Sequence, residues 1–429
     1  MKREKKPEKK LKTKTIIALA SAGGALEMYD FVIYIFFAST IAKLFFPTES
    51  PYAGMLSTLA IFASGYLFRP IGGILFGHLG DRYGRRTGLL ITICLMAGSM
   101  MGMALMPTYD QVGMVAPILF CLFRLIQGIA LGGDLPGAIT FVNEYADDNH
   151  RGLLTGLLYC GVNIGLLMAA FVGMLFTNLL SPDDLQSWGW RLAFLFGISL
   201  FIIGFYFRIK NIETPLFNRL AQDRLQVKVP LFDLFKNYRL NLSRAVAMIA
   251  LHAVIIVQLF LYMPIYLERV VFIDPQHATI FNTVNILIFS ALISLFGYLS
   301  DRYGRKIFFV ISSVLFLFFS YPLYKMINSN IENVMLMALF CFAMLSAMVV
   351  AVVPVTLAEL FPTPVRYSAI GITYNVGFGI FGGLSPLVST FLIHHFHNSA
   401  ALSVDLIVVA FVLLLFVIPM RFLKNQPLA

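Results

Sequence analysis

A polar stretch, Gly77-His-Leu-Gly-Asp-Arg-Tyr-Gly-Arg-Arg86, interrupts two long apolar runs and returns nearly unchanged as Gly297-Tyr-Leu-Ser-Asp-Arg-Tyr-Gly-Arg-Lys306. Asp81, Arg82, Tyr83, Gly84 and Arg85 recur as Asp301, Arg302, Tyr303, Gly304 and Arg305. A second pair repeats in the same order: Glu144 with Arg151 seven residues on, and Glu359 with Arg366 seven residues on. Two polar motifs that recur in order, each flanked by apolar runs, are what a duplicated helical half leaves in a sequence. The chain is therefore expected to fold as two related halves.

With 59% hydrophobic and 13% charged residues and a mean hydropathy of +0.82, the chain has too little polar surface for a soluble globule of 429 residues. A spanning helix needs about 20 apolar residues, because the hydrocarbon core is about 30 Å thick and each helical residue rises about 1.5 Å. The apolar runs here are continuous and long, not the short alternating segments of a barrel. An all-α integral membrane protein follows. Spans are predicted at 15–46, 52–78, 87–106, 112–145, 153–180 and 190–207, then at 245–267, 278–299, 307–327, 334–360, 367–396 and 401–422. An outer loop is expected to hold Pro182, Asp183, Asp184 and Trp188. This divides the chain into a basic tail (1–14), a first six-helix bundle (15–207), a charged linker broken by Pro215 and Pro230 (208–244), and a second bundle with a short tail (245–429).

The net charge of +10 would suit a nucleic-acid partner in a soluble protein, but here the position of each cation matters more than the sum. Of the 32 Lys and Arg, Lys43, Arg191, Arg269 and Lys325 fall on one side of the ladder, and Arg69 and Arg124 fall inside spans. The rest share the other side, which the positive-inside rule makes cytoplasmic together with both termini. The expected location is a bacterial inner membrane, with lipid and no nucleic acid as partner. The basic tail runs into a full-length span and does not read as a cleaved signal peptide. Cys94, Cys121, Cys160 and Cys341 lie in apolar runs without metal-like spacing and are expected as buried, unpaired small residues.

Ionisable groups at mid-membrane are costly and mark water-filled cavities or partners. They gather in the first half. Glu27, Asp30 and Tyr34 share one face of span 1; Arg69 precedes Pro70 in span 2; Arg124, Gln127 and Asp134 lie in span 4. Asp30 lies about 15 residues, and Arg124 about 17, from the cytoplasmic edge of its span, a difference smaller than one helical turn. The expectation is that Asp30 and Arg124 face each other across a cavity and carry proton coupling, with Glu27 and Asp134 as further candidates. The second half offers neutral groups: His252, Gln258, Tyr262, Asn282, Asn285, Tyr374 and Asn375. Substrate contacts are expected from Tyr34, Arg69, Arg124, Gln127, Gln258, Tyr262, Asn285 and Asn375. His252 is expected as a satisfied structural histidine, and Gly161, Gly165, Gly371, Gly377, Gly379, Gly382, Gly383 and Pro386 as sites of close helix approach and bending.

The duplicated Gly-x-x-Asp-Arg-x-Gly-Arg-Arg/Lys pattern resembles the signature of the major facilitator superfamily. More narrowly, Glu27-Met-Tyr-Asp-Phe31, Phe68-Arg-Pro-Ile-Gly-Gly73, Arg124-Leu-Ile-Gln-Gly128, Trp188-Gly-Trp-Arg191, Glu213-Thr-Pro-Leu-Phe217 and Glu359-Leu-Phe-Pro-Thr-Pro-Val-Arg366 resemble the metabolite:proton symporter family over nearly the whole chain. Met28 stands where that family usually has tryptophan, and Asp134 where it usually has glutamate. The resemblance implies twelve helices in two pseudo-symmetric six-helix bundles. It also implies proton-coupled import, by alternating access, of a small carboxylate-bearing metabolite: an organic acid, an amino acid or a betaine. It assigns a cytoplasmic gate to Asp81, Arg82, Arg85, Glu144, Arg151, Asp301, Arg302, Arg305, Glu359 and Arg366, with Asp81 and Arg85, like Asp301 and Arg305, bridging helix ends within each half. An exporter or antiporter, a carboxylate-siderophore carrier and a nutrient receptor of the same fold are the alternatives. No enzyme is expected, since no nucleophile, base and oxyanion cluster is visible, nor any cofactor or metal site. A monomer is expected to suffice.

Overall fold

The computed structural model describes residues 13–47, 51–209, 213–223, 227, 229–329, 331–420 and 428. The basic run from Lys2 to Lys12, linker residues 210–212, 224–226 and 228, and 421–427 of the last tail lie outside the described residues. Every regular element among the described residues is helical. Span 1 is Thr13–Phe36, turned by 64° at Phe37 into Ala38–Phe45. Spans 2 to 6 are Pro51–Tyr83, Arg85–Leu105, Val115–Tyr145, Arg151–Leu179 and Trp190–Ile209. Span 7 is Arg239–Ile256, carried on through Val257–Leu261 and Met263–Arg269; spans 8 to 10 are Pro275–Tyr303, Arg305–Ile327 and Glu332–Leu360. Span 11 is Arg366–Gly377, continued by Phe378–Gly382 and Gly383–Phe396, and span 12 is Ser403–Val417. Ten of the described helices are long and apolar enough to cross a membrane, and the bent pair of span 1 makes eleven. Pro51–Tyr83 is the remaining long helix, with 33 residues.

The repeated motif is not the polar loop that spans ending at 78 and starting at 87 would leave. Asp81, Arg82 and Tyr83 finish span 2, Gly84 alone makes the turn at φ 111°, and Arg85 opens span 3. Gly304 repeats this at φ 91° between spans 8 and 9. Such positive φ is open to glycine and strained for a residue with a Cβ, so one glycine per motif suffices to reverse the chain.

The outer loop expected around Asp183 is also helix. Ser181 accepts from the Asp184 amide at 3.1 Å, Pro182 fills the first position, and Asp183 and Asp184 sit in the first turn. Together these start a helix that runs through Leu185–Gly189 into span 6. The linker carries two short proline-led helices, Pro215–Gln222 and Pro230–Asn237.

The same packing scheme appears twice. Span 2 packs on 4, 3 on 4 and 6, and 1 on 4, 5 and 6; span 8 packs on 10, 9 on 10 and 12, and 7 on 10, 11 and 12. The halves meet through a reciprocal pair of contacts, span 5 on span 8 and span 2 on span 11. At the first of these a Cβ on Gly152 would lie 2.4 Å from the Gly297 carbonyl oxygen, and one on Gly297 would lie 2.3 Å from the Gly152 carbonyl oxygen. Two helices can touch this closely only without side chains at the crossing. Gly161 and Gly165 serve span 5 likewise against Ser21 and Ala25 of span 1. Leu67, Phe171, Phe318, Phe391 and Leu415 are exposed on the outside of the bundle, as a lipid-facing surface requires.

Two spans deviate where they line the centre. Val257–Leu261 in span 7 and Phe378–Gly382 in span 11 are wide π turns. Such turns rotate the following side chains and are often found at functional sites.

Candidate functional site

On the side that carries the repeated motifs, the halves are joined by two ionic networks with the same wiring. In the first, Arg85 pairs with Asp81 at 2.8 Å and with Glu144 at 3.0 Å, and Arg366 reaches Glu144 from the other half at 2.8 Å. In the second, Arg305 pairs with Asp301 at 2.7 Å and with Glu359 at 3.2 Å, and Arg151 approaches Glu359 from the first half at 3.8 Å. Each motif aspartate also accepts two backbone N–H groups at the start of a helix of the opposite half. Asp81 takes Tyr367 and Ser368 at 3.2 and 2.9 Å; Asp301 takes Gly152 and Leu153 at 2.8 and 2.9 Å. A carboxylate there satisfies orphan amides and complements the positive end of the helix. The bridges expected within each half, Asp81 to Arg85 and Asp301 to Arg305, are present, and the same aspartates also hold one half to the other.

The networks differ in their cover. The Glu144 side chain is fully buried and Glu359 is 24% exposed. The linker is the cause. Glu213 accepts from the Arg85 and Arg86 amides at 3.0 and 3.1 Å, Thr214 donates to Glu144 at 2.6 Å, and the Phe217 ring lies 5.2 Å from the Arg85 guanidinium. Burial pushes the Glu213 carboxyl above its ordinary range, while the backbone N–H bonds and Arg85 pull it back. Glu213 and Thr214 were legible only as part of a family-like motif, not as members of a network. Asp148, in the turn before span 5, pairs with Arg151, a contact that no motif in the sequence marks. Arg82 and Arg302, expected in the gate, are exposed and lie over their neighbours Tyr83 and Tyr303. Exposed in this way, they join neither network among the described residues.

Deeper in the first half, three expected residues form a chain. Arg124 donates to Gln127, and Gln127 donates to Asp30. The Arg124 guanidinium also lies 4.2 Å from the Tyr34 ring centroid. All four side chains are buried. Asp30 and Arg124 are thus brought together through Gln127, which lies outside the cavity lining. Glu27 lies 4.0 Å from Arg69, whose Nε donates to Asn375 of span 11 at 3.2 Å. Asn375 in turn donates to the Gly132 carbonyl at 2.7 Å, so it ties span 11 to span 4 across the halves.

Beside these groups a cavity of ≈ 60 Å³ lies between the halves. Arg69, Met28, Tyr159 and Asn163 line it from the first half, and His252, Tyr374, Phe378 and Phe260 from the second. The wall is mostly apolar with a few convergent polar groups, the usual make-up of a small-molecule site.

Several expected contacts lie elsewhere. Asp134 accepts from Thr92 of span 3 at 2.7 Å, inside the first bundle. Gln258 donates to the Leu402 carbonyl at 2.8 Å, because the π turn of span 7 swings it toward span 12. The Tyr262 hydroxyl meets Thr390 at 3.2 Å beyond that turn, and Asn285 is buried on span 8 outside the cavity lining. Of the four cysteines, all free, Cys94 is exposed and the others are half-buried, so none is the fully buried residue expected. His252, read as a satisfied structural histidine, lines the cavity with no hydrogen bond at either ring nitrogen among the described residues. Its position on an apolar run was the misleading signal.

Comparison with known proteins agrees with this architecture. The family model described as sugar (and other) transporter matches residues 16–228, and that of the major facilitator superfamily matches residues 270–428. The glycine betaine/proline/ectoine/pipecolic acid transporter OusA of Dickeya dadantii is 34% identical over 96% of this chain and 84% of its own length. The chain belongs to the major facilitator superfamily. The proline/betaine transporter of Escherichia coli is 33% identical over 97% of this chain and 85% of its own. In fold, this superfamily member is similar to the proton:xylose symporter XylE bound to 6-bromo-6-deoxy-D-glucose, with a TM-score of 0.80, 20% identity and 97% of each chain covered. It is a multi-pass membrane protein and a secondary transporter of small metabolites, not an enzyme.

Proposed function

We propose that this carrier imports small zwitterions bearing a carboxylate, of the proline and betaine kind, together with protons and across a bacterial inner membrane. The observation that carries this reading is the cavity wall, where Arg69 of the first half stands among the rings Tyr159, His252, Tyr374 and Phe378. A guanidinium suits a carboxylate, and aromatic faces suit an ammonium group, so one small zwitterion satisfies both ends of the wall. The relatives named for proline and betaine support this class over dicarboxylates.

Proton coupling is assigned to Asp30. Its carboxylate shares Gln127 with Arg124, and one of its oxygens, Oδ1, is buried without a hydrogen bond among the described residues. Movement of Gln127 or Arg124 during the transport cycle would leave a buried carboxylate uncompensated, and such a group takes up a proton. The motif side is taken as cytoplasmic, with both termini there, because most Lys and Arg outside the spans lie on it. The Glu144 and Glu359 networks then form the cytoplasmic gate, and bundles 15–207 and 245–429 rock about the cavity with 208–244 as linker.

The test is uptake into proteoliposomes under an imposed pH gradient, acid outside, with proline, glycine betaine, citrate and 2-oxoglutarate. Gradient-dependent accumulation of proline or glycine betaine, with little of the two acids, is expected. Accumulation of citrate or 2-oxoglutarate in preference to both zwitterions would overturn the reading.

A further inference from the structure

His252 of span 7 is fully buried, and neither ring nitrogen has a hydrogen-bond partner among the described residues. A neutral imidazole carries one N–H donor and one acceptor nitrogen, and buried polar groups are normally paired. Two orphan nitrogens on one buried ring therefore need an explanation. The ring forms part of the cavity wall, next to Tyr159, Tyr374 and Phe378. Its centroid lies 5.6 Å from Tyr159, 6.1 Å from Tyr374 and 5.5 Å from Phe378, the last two nearly edge to face at 86° and 72°. Tyr374 stacks on Phe378 at 4.6 Å, and the Tyr159 and Tyr374 hydroxyls meet at 3.4 Å across the halves. The imidazole is thus oriented by rings that leave both its nitrogens unused.

We propose that His252 is a specificity-determining residue, whose acceptor nitrogen takes an N–H hydrogen bond from the ammonium group of a primary or secondary amine zwitterion in the cavity. The proposal rests on the zwitterion reading of the preceding subsection. A secondary ammonium such as that of proline has N–H groups to give. A quaternary ammonium has none and interacts only with the faces of Tyr159, Tyr374 and Phe378. One cavity can therefore admit both classes, with His252 separating them. The imidazole would be neutral in this role, since a doubly protonated ring has no acceptor and would repel the ammonium.

The test compares L-proline with N,N-dimethylproline, which keeps the ring and carboxylate but has no N–H, in proteoliposomes holding the full-length parent, His252→Phe or His252→Gln. Phenylalanine keeps an aromatic ring of similar size, and glutamine restores an acceptor. For His252→Phe, the KM for proline is expected to rise tenfold or more while that for dimethylproline stays within about twofold, and His252→Gln should recover part of the proline affinity. A purely structural histidine would move both KM values together, and a nitrogen that only holds water would move neither. Either result overturns the proposal. Failure of the parent to carry both solutes would overturn the zwitterion reading itself, and this inference with it.

Discussion

The ionic networks on the motif side and the central cavity have diverged to different extents since the halves became two. At the motif side the duplication is almost intact: Asp81, Arg85, Glu144 and Arg366 have counterparts in Asp301, Arg305, Glu359 and Arg151, with the same partners reversed between halves. In the cavity one pair still corresponds, Tyr159 and Tyr374, whose hydroxyls meet at 3.4 Å, but the charged and imidazole groups around it do not. The first half supplies Arg69, with Asp30, Gln127 and Arg124 behind it, while the second supplies His252, Tyr374 and Phe378. The ionic networks ask the same work of both halves, to hold a helix start of the other, so the motif can persist twice. On the proposed reading the site handles a proton and an asymmetric solute, which asks different work of each half, so its residues part company.

This contrast can be broken in order of expected effect. The largest belongs to the cavity. Asp30→Asn is expected to abolish uphill accumulation while leaving solute exchange partly intact, and it has no equivalent in the second half. Full accumulation by that variant would remove the division of labour.

Next come the two glutamates of the gate. Leaving a buried cation without its partner costs about 3–5 kcal/mol, whereas a solvent-reached pair is worth about 0–1 kcal/mol. Glu144→Gln should therefore separate the halves on the motif side far more than Glu359→Gln. Electron-spin distances between labels at the exposed positions 82 and 302, in a background freed of native cysteines, measure this. Equal shifts would mean that the linker cover over Glu144 contributes nothing.

The motif aspartates should be closer in size. Asp81→Asn and Asp301→Asn each weaken two backbone N–H bonds and one arginine pair. Both should open the same side, at about 1–3 kcal/mol each. Smallest of all, Arg82→Gln and Arg302→Gln should leave transport rates within about twofold, since both side chains are exposed outside the networks. A large loss in either would return them to the gate.

The contrast also explains what could be read from residues alone. Twelve spans, the twofold repeat and the list of buried charges follow from apolar run length and repetition, and Asp30 and Arg124 were matched by depth at 1.5 Å per residue. Depth says nothing of azimuth. Gln258 faces span 12 and Asp134 faces span 3 because helix packing and a π turn set their directions, which no spacing reveals. Partners across the halves, such as Glu144 and Arg366, lie 222 residues apart, and only the folded contact joins them. A histidine on an apolar run is usually satisfied, yet here the two tyrosine hydroxyls beside His252 meet each other and its nitrogens have no hydrogen bond among the described residues.

The central claim, that solute and proton move together through Asp30, is tested most directly by following external pH when proline or glycine betaine is added to de-energised proteoliposomes. The account predicts alkalinisation outside that starts with solute entry in the parent and is absent in Asp30→Asn. Solute entry by the parent with no change in external pH, or the same alkalinisation in both proteins, would contradict it.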